Sequence, residues 1–241
     1  ATLHLVPAAI AHCTAWIAID SPEQALRLLR QLDASIGREL EGFEIIPHAC
    51  LDAVLRHIPQ TRAPIAAPHP WYVLAELAGD NEQELSDALE RQLAVAIDAG
   101  LISDVVIAKS DREREDFWRL RDSISEAERA DGPALQHDIS VPIDLMPAFI
   151  ADNPRRLDNA FPGARALSFG HLGDGNVHHH VQPPAGCDGA AWIGEHGKAV
   201  SRLEASLGIT LLHRSSRSVT VSTAGEGLLG EARAMVAAAT A

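Results

Sequence analysis

Cysteine is scarce and irregularly placed. Cys13, Cys50 and Cys187 are an odd number without metal-ligand spacing, so they read as buried or incidental thiols of a reducing cytoplasm. Cys187, in a Gly-Cys-Asp loop, is the one expected at the surface. No apolar run reaches the ~18 residues of a membrane span. Ala1 to Ile10 carries no basic region ahead of its apolar residues, unlike a secretory signal. No glycine-rich dinucleotide fingerprint follows a strand. Positive charge is also short, with 20 Lys and Arg against 33 Asp and Glu and a net charge of −13. From Lys198 onward, five basic residues stand against three acidic ones, a net of +2, so the rest carries −15. An acidic body argues against nucleic acid as its partner.

What is present is an alternation of apolar strands and amphipathic helices. Strands are expected over 13–19, 43–46, 71–77, 105–108 and 136–141. Ser21-Pro22-Glu23-Gln24 starts a helix with Ser as N-cap and Pro at N1. Its stripe is Ala25, Leu28, Leu29, Leu32 and Ile36, closed by Gly37. Asp80 is expected to cap a helix with Leu85, Leu89, Leu93 and Ile97 on one face, and Asp111 one that buries Phe117, Leu120, Ile124 and Ala127. Pro142 or Asp144 opens another through Ile150, with 153–156 in loop. This order predicts an α+β fold: a ferredoxin-like split βαβ antiparallel sheet with helices on one face, plus a short helical C-terminal tail.

The most informative stretch is Gly170-His171-Leu172-Gly173-Asp174-Gly175-Asn176-Val177-His178. Gly, Asp and Asn tolerate the left-handed conformations of a tight turn, and extended segments flank them, so a hairpin is expected. Closure brings His171 towards His178 with Asp174 at the tip. Two neutral imidazoles beside a carboxylate suit Zn²⁺ or a similar divalent ion. A hairpin whose histidines are only polar edge residues is the alternative. Beyond the turn, His178 and His180 share one face of the strand, and His179 points to the other, where it reads as solvated.

Gly-His-x-Gly-Asp-Gly-Asn-x-His resembles the signature of the C-terminal domain of FAD-linked 2-hydroxy acid oxidases. That family includes D-lactate dehydrogenases, the glycolate oxidase flavin subunit and D-2-hydroxyglutarate dehydrogenase. The resemblance covers about residues 3 to 184. It implies that His171 and His178 bind a divalent metal, most simply zinc, and that Asn176 of the motif meets the cofactor. Trp118-Arg119-Leu120-Arg121 resembles the family's Trp-x-x-Arg helix, which implies that Arg121 clamps the substrate carboxylate. Ser125 falls where the D-2-hydroxyglutarate enzyme has a substrate-binding threonine, Gln136 where it has a lysine, and His180 where it has a substrate-touching asparagine. All three are expected at the substrate. Glu195-His196-Gly197 resembles the family's downstream triplet, making Glu195 a third metal ligand and His196 the general base. It lies closer to His178 than the family's spacing.

Residues 199–238 resemble part of the DNA-binding region of LysR-type regulators, from Ala199-Val200-Ser201-Arg202-Leu203-Glu204 to Thr223-Ala224-Gly225-Glu226-Gly227. The first helices of that winged fold are absent, and nucleic acid is not expected to bind. The chain therefore divides into 1–184, a substrate- and metal-binding domain, 185–198, a junction, and 199–241, a LysR-like partial segment. The implied partners are a small 2-hydroxy acid and an FAD-binding domain, in cis or trans, of the vanillyl-alcohol-oxidase type. Nothing before Cys13 supplies that domain, so the chain alone is expected to be inactive. A non-catalytic module that binds a metal or small acid through the same residues is the rival reading. A homo-oligomer is left open.

Overall fold

A computed structural model of the protein describes residues 8–205, 209–214 and 219–221. The chain opens with β1 (Ala11–Ile19), α1 (Pro22–Ser35), β2 (Leu40–Pro47), α2 (His48–His57), β3 (Trp71–Gly79), α3 (Glu82–Asp98) and β4 (Asp104–Ile107). It continues with α4 (Asp111–Asp122), α5 (Ile124–Asp131), β5 (Leu135–Ser140), α6 (Met146–Ala160), β6 (Arg165–His171) and β7 (Asn176–Gln182). After α7 (Gly189–Ala205) come β8 (Ile209–Arg214) and β9 (Val219–Val221). The seven strands up to residue 182 form one sheet in the order β4-β1-β3-β2-β6-β7-β5, extended at the β5 edge by β8 and β9. Neighbouring strands pair antiparallel throughout, so the class is α+β.

Strand alternation divides the core into two layers. Cys13, Ala15, Ile17 and Ile19 of β1 face one side, where they meet α1, α3 and α6 through Leu28, Leu32, Leu89, Leu93 and Ile150. Trp16 and Ala18 face the other, against α2, α4 and α5 through Cys50, Val54, Phe117, Leu120 and Ile124. Trp16 is fully enclosed, its ring 5.8 Å from Tyr72 and 6.0 Å from Phe117. Helices therefore cover both faces, not one as the element order suggested. Ile46 and Leu74, on strands that alternate little, are as buried as their neighbours and require this second cover.

Several boundaries differ from expectation for local reasons. Asn81, not Asp80, caps α3, its side chain accepting from the amides of Gln83 and Glu84, and Ser110, not Asp111, caps α4. Ile97 is 47% exposed, and Ala96 takes the buried position at that turn. The helix expected from Asp111 breaks at Ser123, yet both halves keep Phe117, Leu120, Ile124 and Ala127 inside. α6 continues past Pro154 to Ala160, because Leu157 is fully buried and anchors the last turn. The tail expected as helical is β-strand at 209–214 and 219–221. α7 runs without interruption through the expected boundary at 198/199. Most of the LysR-like stretch lies outside the described residues. Cys13 and Cys50 are buried and Cys187 exposed, as their contexts indicated. No helix among the described residues is long and apolar enough to cross a membrane.

Asn81→Ala removes the cap of α3 and leaves its first amides to water. It is expected to lower stability by about 1 kcal/mol in chemical denaturation. A loss below about 0.3 kcal/mol would show that the Leu85–Leu93 stripe alone holds that end.

Candidate active site

The site lies on the α4–α5 face, at the seam where the two halves of the sheet join. That seam is narrow, with β2 meeting β6 through Glu44↔His171 and Ile45↔Gly170. The β6–β7 hairpin pairs Phe169 with His178 and His171 with Asn176. Its turn is closed by Asp174, whose Oδ1 accepts from the Asn176 amide at 2.9 Å. Asp174 is thus occupied in shaping the loop. His171 and His178 come together as expected, with ring centroids 5.4 Å apart.

Arg121 projects from α4 into the same place. Its guanidinium lies 5.7 Å over the Phe169 ring, Nε donates to Glu44 Oε2 at 3.0 Å, and one terminal nitrogen is 3.4 Å from His171 Nε2. The Glu44 Oε1 accepts from His171 Nδ1. Glu44 is only 2% exposed. Burial alone would push its carboxyl up, but the His171 hydrogen bond and the Arg121 charge outweigh that and hold it below its ordinary value. The hydrogen bond to Glu44 raises His171 in turn, against a smaller opposing effect of burial. The tryptophan of the Trp-x-x-Arg motif has its own role, Trp118 Nε1 donating to Glu76 Oε2 at 2.7 Å and so seating α4 on β3.

A second and a third carboxylate repeat the pattern. His178 Nδ1 donates to Asp138 Oδ1 at 2.7 Å, and His180 Nδ1 donates to Glu128 Oε2. Glu44, Asp138 and Glu128 were not singled out from the sequence. Glu44 left a signal, an acid inside the apolar run 43–46, whereas Asp138 and Glu128 stand among polar residues and left none. Gln136 stands opposite His180 in the ladder, with its Nε2 buried and without a hydrogen-bond partner, and the same holds for Asn176 Oδ1 and Glu128 Oε1. Buried polar atoms left this way call for a partner such as water, an ion or a ligand. Ser125 lies in the first turn of α5, half-buried.

Two expectations are corrected. His179 is fully buried rather than solvated: Asn153 Nδ2 donates to its Nε2 at 3.0 Å, its Nδ1 bonds Ser168 Oγ at 2.7 Å, and Phe149 and His137 flank the ring. The side away from the active face is covered by α6, which the sequence pattern had placed too short to reach it. Glu195 and His196 are not brought to the histidine pair. α7 packs on the α6 side of the sheet, where Val200 joins Leu157, Ala164 and Val181, and Ser201 Oγ bonds His137 Nε2 at 3.0 Å. Glu195 is exposed and meets His196 at 3.8 Å, while His196 rests on Phe161 and Trp192. The short 183–188 connection delivers the triplet to the α6 side of the sheet, away from the histidine pair.

The donors fit a divalent cation in part. Both histidines are pinned at Nδ1 by carboxylates, the arrangement that metal-binding imidazoles adopt. Three buried carboxylates, Glu44, Asp138 and Glu128, line this face beside one guanidinium. A cavity of about 690 Å³ opens beside His171, bordered by Asp33, Glu41, Glu44, Asp144 and Asp174, with its Arg30 taken by Asp144. Among the described residues no third side chain joins the pair within ligating range. The only such trio among them is His12, Glu41 and Glu76, and there Glu76 already accepts from Thr14 and Trp118, with Arg114 at 3.5 Å. A cation on His171 and His178 would therefore draw further ligands from substrate or water.

A largely enclosed arginine, a pinned histidine pair and unpartnered polar atoms thus share one face of the sheet. Residues 10–197 match the model of the FAD linked oxidases, C-terminal domain. The chain belongs to that family. It is 39% identical over 145 residues to D-2-hydroxyglutarate dehydrogenase of Xanthomonas citri pv. viticola, covering 60% of this chain and 30% of the relative. It is 32% identical over 167 residues to the mitochondrial D-2-hydroxyglutarate dehydrogenase of Arabidopsis thaliana, covering 69% and 29%. The chain thus spans about a third of the length of these relatives. Among solved structures, 4-ethylphenol oxidase from Gulosibacter chungangensis superposes with a TM-score of 0.51 at 15% identity, over 85% of this chain and 46% of that one. That likeness bears on the fold alone.

Proposed function

We propose that this chain is the substrate- and metal-binding cap of an FAD-dependent D-2-hydroxy acid dehydrogenase, converting a 2-hydroxy acid to the 2-keto acid together with an FAD-binding domain in cis or trans. The observation that carries the reading is that Arg121 and His171, fifty residues apart, share the single buried carboxylate Glu44. The β4-β1-β3-β2 half, which we read as a ferredoxin-like split βαβ unit, is the platform for α4 and Arg121. When bound, FAD accepts the hydride and a divalent cation such as zinc polarises the hydroxyl. Arg121, held by Glu44 through Nε and Nη2, binds the substrate carboxylate through Nη1. His171 and His178 turn their Nε2 atoms towards the hydroxyl end, and the Phe169 ring packs against His178 at 5.2 Å. Gln136 and Ser125 border the far end of the substrate, His180 is held beneath α5 by Glu128 and backs Gln136 from across the ladder, and Asn176 at the turn is the residue read as meeting the cofactor. Gln136 offers a neutral amide there, which favours a short monocarboxylic acid over a dicarboxylic one.

Calorimetric titration of the chain with D-lactate and D-2-hydroxyglutarate in the presence of Zn²⁺ tests this. Wild type is expected to bind, D-lactate at least as tightly as D-2-hydroxyglutarate. Arg121→Ala is expected to weaken binding about 10- to 100-fold, the loss of a charge-assisted pair. Equal binding by Arg121→Ala would reject the assignment.

A further inference from the structure

We infer that Asp138 and Glu44 are the outer carboxylates of a divalent-cation site, each holding one histidine, His178 and His171, with its proton on Nδ1 and its Nε2 lone pair turned away from the carboxylate. The inference rests on reading the histidine pair as a metal site.

The sheet register builds this arrangement. The β6–β7 hairpin is flanked by β2 on one side and β5 on the other. Glu44 of β2 stands directly opposite His171 of β6, and Asp138 of β5 directly opposite His178 of β7. Residues opposed in a ladder have Cβ atoms about 5 Å apart, close enough for a carboxylate to reach Nδ1 without strain. A carboxylate accepts only, so each imidazole carries its proton on Nδ1 and keeps the Nε2 lone pair. Two flanking strands thus impose one tautomer on both histidines.

The pattern of exposure separates these two from the third pair. The side chains of His171 and His178 are 42% and 17% exposed, and a cation on His171 Nε2 would displace the Arg121 nitrogen 3.4 Å from it. His180 is sealed beneath α5 with Glu128, whose carboxylate comes from a helix and not from across the ladder. A half-exposed histidine needs no buried carboxylate for its own solvation. Placing one opposite it, as at Glu44, serves to orient the ring. Glu44 also fixes Arg121 through its second oxygen, so one side chain sets both the ligating nitrogen and the guanidinium beside it. Both carboxylates are positioning residues and touch no substrate.

The test uses the full chain, ZnCl₂ as the probe and two readouts. In ¹⁵N NMR of the metal-free wild type, His171 and His178 are expected as Nδ1–H tautomers. In calorimetry the wild type is expected to bind Zn²⁺, and Asp138→Asn and Glu44→Gln each to bind about 10- to 100-fold more weakly. Asp138→Asn is expected to shift His178 towards the Nε2–H form. Nε2–H tautomers in the wild type would overturn the inference without any variant having to fold. Wild-type Zn²⁺ affinity retained by both folded variants would overturn it while leaving the histidine pair as a metal site. No Zn²⁺ binding by the wild type, with both tautomers Nδ1–H, would instead sink the metal reading on which it rests.

Discussion

Glu44→Ala is expected to cost about 3 kcal/mol of folding stability, at the lower end for breaking a buried ion pair by removing one partner. The carboxylate is nearly inaccessible and serves Arg121 and His171 at once. Removing it leaves the buried Arg121 guanidinium without its counter-charge. Water screens much of the loss at the half-exposed His171, so the effect rests mainly on Arg121. Urea denaturation in the presence of EDTA measures it, and a loss below about 1 kcal/mol would show that Arg121 finds solvent instead. The pH profile has a definite sign. Glu44 is depressed on folding, so its contribution is present above its ordinary value of 4.5 and is lost as pH falls through the lower folded value. His171 is raised on folding, so its contribution is present below its ordinary value of 6.5 and is lost as pH rises through the higher folded value. The pair therefore stabilises most between those two ordinary values, and Glu44→Ala should flatten the stability maximum there.

Gly175→Ala is expected to destabilise by about 2–4 kcal/mol, the sum of left-handed strain and of crowding in a packed region. Gly175 has φ +78°, and a Cβ there would stand 2.3 Å from the Val141 carbonyl oxygen. That carbonyl belongs to backbone and cannot swing aside. The same carbonyl region is tied to the turn, since the Val141 amide donates to Gly175 at 2.9 Å. Relieving the clash moves the turn that sets His171 against His178, so Zn²⁺ binding should fall with stability. Gly173, two residues earlier in the same motif, has nothing within 4 Å of a would-be Cβ, and Gly173→Ala should stay within about 0.5 kcal/mol of wild type. Equal melting temperatures for the two variants would refute this account of the turn.

Much of the site is legible in the amino-acid sequence. A Gly-Asp-Gly-Asn turn between extended segments can close in few ways, so His171 and His178 are bound to approach each other. The helical spacing of Phe117, Leu120, Ile124 and Ala127 fixes which side of α4 and α5 is buried, and with it where Arg121 emerges. Local signals of this kind depend on a few neighbouring residues and survive folding unchanged. The caps at Asn81 and Ser110 each fall one residue from the expected position, because adjacent Asp, Asn and Ser compete on nearly equal terms for the same amides.

The sequence by itself determined the α+β class, the hairpin, the apolar stripes of α1 and α4 and the family to which the chain belongs. Only the tertiary structure decided which carboxylate meets which histidine, since Glu44 and Asp138 reach theirs through pairings across 127 and 40 residues. It also decided that the second sheet face is covered, that His179 is buried and that Glu195-His196-Gly197 falls on the wrong side. The physical reason is the same in each case. Strand alternation states that a side chain points up or down, but which layer lies above it is set by long-range pairing, and that information belongs to no single segment.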